Sequence, residues 1–267
     1  MDGKLHHAGH MPIGVLMPVI AVLVAAAAYL WLVTQARGRN PGRGWSRLRT
    51  ASFLGGCALL AVALLPPVAS TAHTDFRGHM LQHMIIGMYA PLALVLGAPL
   101  TALLRSLPAE HARRVSRLLR TRPVRVLAHP VSALILSTGS LGVLYFTPLY
   151  DVMTARPAAH WLLHVHFLAS GYLFAWVVAG PDPAPSRPGV PARLVLLGVA
   201  VAAHATVAQL LYGGFLVAVR APIAQVRGAA VIMYYGGDVA ELLLATALVA
   251  TWRPDRSRQA APLAGLR

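Results

Sequence analysis

The sequence predicts an all-α membrane protein: a seven-transmembrane helix bundle with its N-terminus outside and its C-terminus in the cytoplasm. Three observations carry this. Hydrophobic residues make up 57% of the 267 and charged residues only 12%, the balance of a chain dissolved in lipid rather than water. Seven apolar stretches approach or exceed the ~20 residues a helix needs to cross hydrocarbon, and all are much longer than the ~10 of a barrel strand. Basic residues gather in alternate loops, as the positive-inside rule requires of a polytopic protein.

The stretches are 12–35, 51–69, 79–104, 127–147, 157–180, 193–219 and 223–252. They divide the chain into an outer histidine-rich arm (1–11), a membrane domain (12–252) and a basic cytoplasmic tail (253–267). The first stretch follows a short polar head and reads as a retained span rather than a cleaved signal. The second ends at Pro66 and Pro67, which belong at the membrane surface, where water can meet a lost backbone bond. The segment PAEHARRVSRLLR (108–120) reads equally as an amphipathic surface helix or as a charged loop. The segment PDPAPSRPGVP (181–191) is too rich in proline for a helix and is expected to be an exposed linker. The single cysteine, Cys57, lies in an apolar run, so neither a disulfide framework nor a thiolate cluster is available.

Charge sets the orientation. The formal net charge is +15, and of the 23 basic residues all but Lys4, Arg77, Arg156, Arg220 and Arg227 fall on one side. Arg37 to Arg49 follow the first stretch, Arg105 to Arg125 the third, Arg187 and Arg193 the fifth, and four arginines end the chain. This alternation with spans accounts for the basic charge without a nucleic-acid partner.

Orientation then sorts the twelve histidines. His6, His7 and His10 lie in the outer arm, and His73 in the next outer loop. His79 and His83 open the third span from outside, and His160, His164 and His166 open the fifth. His111 and His129 fall on the cytoplasmic side, and His204 near mid-membrane. A step of four residues returns to the same helix face, so His79 pairs with His83, Met80 with Met84, and His160 with His164. Two such pairs on neighbouring helices can enclose one ion. Imidazole with thioether suits copper, above all Cu(I). The candidate ligands are therefore His79, His83, His160 and His164, joined by Met80, Met84 or Met153, with His73 a further candidate from the outer loop. His166 points about 200° away and belongs either to a second site or to an interhelical hydrogen bond. For any one of these histidines the plainer alternative is a structural polar contact.

Asp238 and Glu241 follow a Gly236–Gly237 break in the seventh stretch. Asp238 lies deep in the bilayer, where an acid must face the bundle interior, and His204 is its candidate partner. No nucleophile–base pair is visible, so catalysis is not expected.

The run GHMLQHMIIGMYAPLALVLGAPLTALLRSLP, the segment YFTPLYD (145–151) and the run HVHFLASGYLFAWVVAGPDPAP (164–185) together resemble the CtaG family of cytochrome c oxidase assembly factors. The resemblance extends over residues 75–252. It implies a multi-pass protein of the cell's inner membrane that delivers copper to a haem-copper oxidase subunit, in contact with the lipid bilayer and with an outer-side copper chaperone as a further partner. It carries over to His79, His83, His164, His166, His204 and Asp238. Where many members have an Asp-Gln pair at the head of the seventh span, this chain has Ala224 and Gln225. Three rivals stand beside copper delivery: a haem-binding electron-transfer or haem-handling protein with opposed axial histidines, a copper importer, and a scaffold that binds no metal.

Overall fold

The computed structural model describes residues 13–251, with side chains from residue 17 onward. The N-terminal arm with His6, His7 and His10, and the basic tail, lie outside the described residues. Within them all regular structure is helical. The elements are α1 (Ile13–Arg39), α2 (Arg47–Leu64), α3 (Val68–Thr74), α4 (Phe76–Ser106), α5 (Ala109–Leu119), α6 (Arg122–Leu127), α7 (Pro130–Phe146), α8 (Leu149–Thr154), α9 (Pro157–Val178), α10 (Val190–Gly213) and α11 (Ile223–Ala250).

Six of these, α1, α2, α4, α9, α10 and α11, are long and apolar enough to span a membrane. The fourth expected stretch is shorter than the others. Helix α7 has 17 residues, about 25 Å at 1.5 Å per residue, against a hydrocarbon core of ~30 Å. Large apolar side chains such as Leu23, Trp31, Leu162, Val195 and Leu242 point outward, as lipid-facing residues do.

The prolines act largely as read. Helix α2 stops at Leu64, and Leu65 is extended, as the residue before a proline prefers to be. Residues 109–119 form a helix, so the charged-loop alternative for 108–120 falls away. The linker 181–191 is non-helical apart from its last two residues. It is not exposed as expected, because Asp182 is 1% accessible and its neighbours are mostly half-buried. The reason is a hydrogen-bond debt elsewhere. Helix α4 is interrupted at Gly97–Ala98, where Ala98 is left-handed with φ 53°, and it restarts at Pro99 with uncapped N–H groups. The Asp182 carboxylate accepts from the backbone N–H groups of Leu100 (2.9 Å) and Thr101 (2.8 Å), a cap supplied from across the fold. The Gly236–Gly237 break is absent: α11 runs straight through both glycines.

Helix α4 is the hub, packing on α1, α2, α9 and α11. Its irregularities are satisfied by neighbours, as lipid demands of any broken helix. Pro91 has no N–H to offer the Gly87 carbonyl one turn earlier, and residues Ile85–Tyr89 widen into a π-turn. Tyr29 donates to Gly97 O (2.8 Å), and Ser52 to Ala93 O (2.7 Å). Tyr89 donates in turn to Gly236 O on α11 (2.7 Å). Two apolar clusters fill the bundle. One is built around Tyr29, Phe53, Met80, Met84, Tyr145 and Phe167, the other around Leu92, Phe174, Val178, Leu197 and Leu248.

The α4–α9 crossing is the tightest. A Cβ added to Gly171 would lie 1.9 Å from the Gly87 carbonyl oxygen. Gly198, in α10, has nothing within 4 Å of such a Cβ. Gly171→Ala should therefore destabilise the purified protein by about 1–3 kcal/mol or more, because backbone cannot yield as a side chain does. Gly198→Ala should stabilise it by roughly 0.5–1 kcal/mol. Thermal unfolding in detergent reads both. Equal midpoints would contradict the packing described.

Candidate functional site

The histidines of α4 and α9 meet near the ends at which both helices begin, and they sort into two levels. At the outer level, His79 is 1% exposed, His160 7% and His164 9%. The ring centroids of His79 and His160 are 6.3 Å apart, and those of His160 and His164 are 4.5 Å apart. His73, exposed on α3, sets its ring edge-on to His160 at 5.1 Å. A crevice of about 470 Å³, lined by His73, Asp75, Tyr150, Asp151, His160 and Gln225 among others, leads to this level from the end of the bundle. Arg77 holds the Asp75 carboxyl below its usual range through side-chain and backbone hydrogen bonds.

The polar atoms here are incompletely matched. Both ring nitrogens of His79 are buried without a hydrogen-bond partner, as are Nε2 of His160 and Nδ1 of His164. His164 Nε2 reaches Gln82 Oε1 at 3.1 Å, and Gln82 Nε2 donates to Ala63 O at 2.8 Å. Buried polar groups in folded proteins are nearly always paired, and an unpaired one costs about 1–3 kcal/mol. Four orphaned imidazole nitrogens on three rings are therefore unusual. Among the described residues no group of three His, Cys, Asp or Glu side chains converges as a ready-made metal shell.

His83 does not join that level. It lies one turn deeper, its ring stacked on Phe167 at 3.9 Å and its Nδ1 3.0 Å from the Tyr145 hydroxyl. Met80 and Met84 are fully buried in the apolar core of the bundle. The Met80 sulfur lies 3.9 Å from the Tyr145 hydroxyl, and Met84 packs near Gly236 on α11. A methionine one residue beyond each histidine is turned by about 100°, so pairs that share a face within each residue type need not share one between types. His166 bonds the Ser140 hydroxyl on α7 at 3.0 Å, the interhelical alternative of the two expected for it.

His83 also lines a small cavity of about 50 Å³ with Ser137, Thr138, His204 and Glu241, polar enough and large enough for a few waters. His204 Nδ1 lies 3.8 Å from Glu241 Oε1. The acid beside His204 is thus Glu241, 6% exposed, and not the expected Asp238, which is half-buried one turn earlier. Gly237 makes the space: a Cβ there would stand 2.3 Å from the His204 ring. Sequence reasoning named Glu241 without pairing it. It missed Gln82, although Gln82 falls three residues after His79 and so shares its face. Gln225, next to Ala224 in the first turn of α11, accepts from Phe76 N–H at 3.1 Å and ties α11 to the start of α4.

Comparison with known proteins places this arrangement. The family described as cytochrome c oxidase caa3 assembly factor (Caa3_CtaG) matches residues 27–255. Uncharacterized proteins of Mycobacterium bovis and Mycobacterium tuberculosis are each 35% identical over 194 residues, covering 68% of this chain and 29% of theirs. One from Mycobacterium leprae is 35% identical over 176 residues, covering 63% and 27%. The chain thus spans less than a third of the length of these relatives. No solved structure matches it. The resemblance carried by the third-span, Tyr145–Asp151 and His164–Pro185 segments holds over most of the chain: it belongs to the CtaG family of cytochrome c oxidase caa3 assembly factors.

Proposed function

We propose that this chain binds copper, as Cu(I), at the histidine-rich end of the bundle and hands it to a subunit of the haem-copper oxidase whose assembly its family serves. The observation that carries this reading is the set of buried, unpartnered nitrogens on His79, His160 and His164. A soft cation bound there relieves that debt. Two imidazoles straddling one ion, each nitrogen ~2.0 Å from it, place their centroids ~6 Å apart, close to the 6.3 Å between His79 and His160. The lack of a closed shell favours transfer over storage, because an ion with an open position can pass to an incoming ligand. His73 at the crevice mouth suits capture from an outer-side chaperone. Met80 and Met84 move from ligands to packing residues in this reading.

The protein functions here as a seven-span bundle of the cytoplasmic membrane, with α7 as the short fourth span, the histidine end outside and the arginine-rich end in the cytoplasm. Positive-inside asymmetry supports that orientation. It is a transfer protein without catalysis of its own.

A second reading, copper import, draws on the inner cavity. His83, one turn below the outer level, lines that cavity, and the His204–Glu241 pair extends polar groups toward the middle of the bundle.

Three outcomes are expected. A reporter active only outside the cell should be silent when fused after Trp252, and strong activity there would invert the bundle. Protein purified without a histidine tag should carry about one copper per chain by elemental analysis. His79→Ala and His160→Ala should each lower that content severalfold and reduce oxidase activity in cells grown at limiting copper. His129→Asn, which keeps an N-cap acceptor at the opposite end, should change neither. Equal copper in all three variants would remove the site, and a Soret band in the wild type would turn the reading to haem. Finally, if His204 is structural, His204→Ala should lower the unfolding midpoint and leave vesicles of the wild type without copper uptake to lose. Uptake by wild-type vesicles that disappears in well-folded His204→Ala would establish import instead.

A further inference from the structure

The opposite end of the bundle holds a second polar site. A cavity of about 540 Å³ opens where α2 and α10 begin and α4 and α11 end. Four arginines line it: Arg49, Arg105, Arg187 and Arg193. They arrive from three parts of the chain, α2, the end of α4, and the linker running into α10. Arg49 and Arg105 both lie over the Trp45 ring, their guanidinium carbons 5.5 Å and 5.7 Å from its centroid. One indole thus holds two like charges. Arg193 is 9% exposed, with one nitrogen donating to Val178 O at 2.9 Å and its Nε buried without a partner. Arg187 donates to Trp176 O (2.8 Å) and Asp182 O (2.7 Å), and its Nε is likewise buried and unpartnered.

Counter-charge is scarce. None of the four arginines is ion-paired among the described residues. The neighbouring acid is Asp182, whose carboxylate oxygens are spent on the N–H groups of Leu100 and Thr101 and the Thr101 hydroxyl. Converging, partly buried cations without an anion are expensive. A guanidinium fork fits a phosphate oxygen pair better than any other common anion except carboxylate. The volume falls within the ~300–1,000 Å³ of small-molecule sites.

We propose that this cavity binds a phosphate group of net negative charge, supplied either by the headgroup of an anionic lipid or by a soluble phosphate. Its position at the ends of membrane-spanning helices sets it at headgroup depth, where basic pockets between helices take anionic lipids.

The test uses the full chain in neutral detergent. Binding of dioleoyl phosphatidylglycerol, dioleoyl phosphatidylcholine and inorganic phosphate is measured by native mass spectrometry and by thermal shift. The variant is Arg49→Gln/Arg105→Gln, since neither side chain holds the backbone. Arg113→Gln/Arg117→Gln, on α5 outside the cavity, makes the same change in net charge. Phosphatidylglycerol should bind more tightly than phosphatidylcholine. The cavity variant should lose roughly fivefold in affinity per guanidinium, about 25-fold in all, while the α5 variant keeps the wild-type value. Competition by millimolar inorganic phosphate would assign the site to a soluble phosphate, and failure to compete would assign it to lipid. Both variants losing phosphatidylglycerol alike, or no preference for either anionic probe over zwitterionic phosphatidylcholine, overturns the proposal. Should the cavity variant misfold, phenylglyoxal labelling of wild type decides. Arg49 and Arg105 must be shielded by the phosphate probe and not by phosphatidylcholine, and equal labelling rejects the site.

Discussion

The contact between Gly87 and Gly171 determines where everything else in this bundle can stand. Pro91 withholds one hydrogen bond from helix α4 and frees the Gly87 carbonyl. Gly171 of α9 fits against that carbonyl so closely that a methyl group would not fit between them. Backbone approach of this kind is how membrane helices associate when lipid removes the hydrophobic advantage of burying side chains, and a Cα–H facing a carbonyl adds a weak bond. From this point toward the histidine end, each helix carries its imidazoles at a fixed register. His83 falls against Phe167, and one turn out His79 falls opposite His160. The histidine cluster follows from a glycine contact about a turn deeper than His83.

The same economy governs the rest of the fold. In a hydrocarbon solvent every broken backbone bond must be met by protein, and here the partners are spread across the chain. Tyr29 and Ser52 satisfy α4 near its Gly97 turn, Asp182 caps its restart, and Gln225 caps its beginning. These polar ties join α1, α2, α11 and the proline linker to one helix. The places where pairing is left incomplete then acquire meaning. Apart from His204 Nε2 in the middle, the orphaned imidazole nitrogens lie at one end and the orphaned guanidinium nitrogens at the other. One end is suited to a soft cation and the other to an anion.

Much was legible in the residues. Apolar length and arginine alternation predicted the helices and their grouping, because burial in lipid and charge retention leave direct marks on composition. The 31-residue apolar helix opening with His79, Met80, His83 and Met84 pointed to the site, and the family followed from the same run. What failed did so for geometric reasons. Assigning His83 to the outer level assumed that residues on one helix face meet one partner. A single turn of depth moved it against Phe167 and Tyr145. The Gly236–Gly237 pair resembled a helix break. In the bundle Gly237 is a socket for the His204 ring, a use that depends on α10 lying alongside.

By itself, the sequence determined the solvent this protein occupies, the approximate spans and the segregation of histidines from arginines. Those properties are sums over many residues, and no single contact can reverse them. Only tertiary structure decided which groups meet. It set Glu241 rather than Asp238 beside His204 and buried Asp182 from a linker expected to be exposed. It sent Met80 and Met84 into the core and brought four arginines from three distant segments around one cavity. Such pairings depend on helix rotation and depth to within a few ångströms. A spacing of residues along one helix fixes angles within that helix, whereas the angle between helices is set by the glycines and prolines at their crossings.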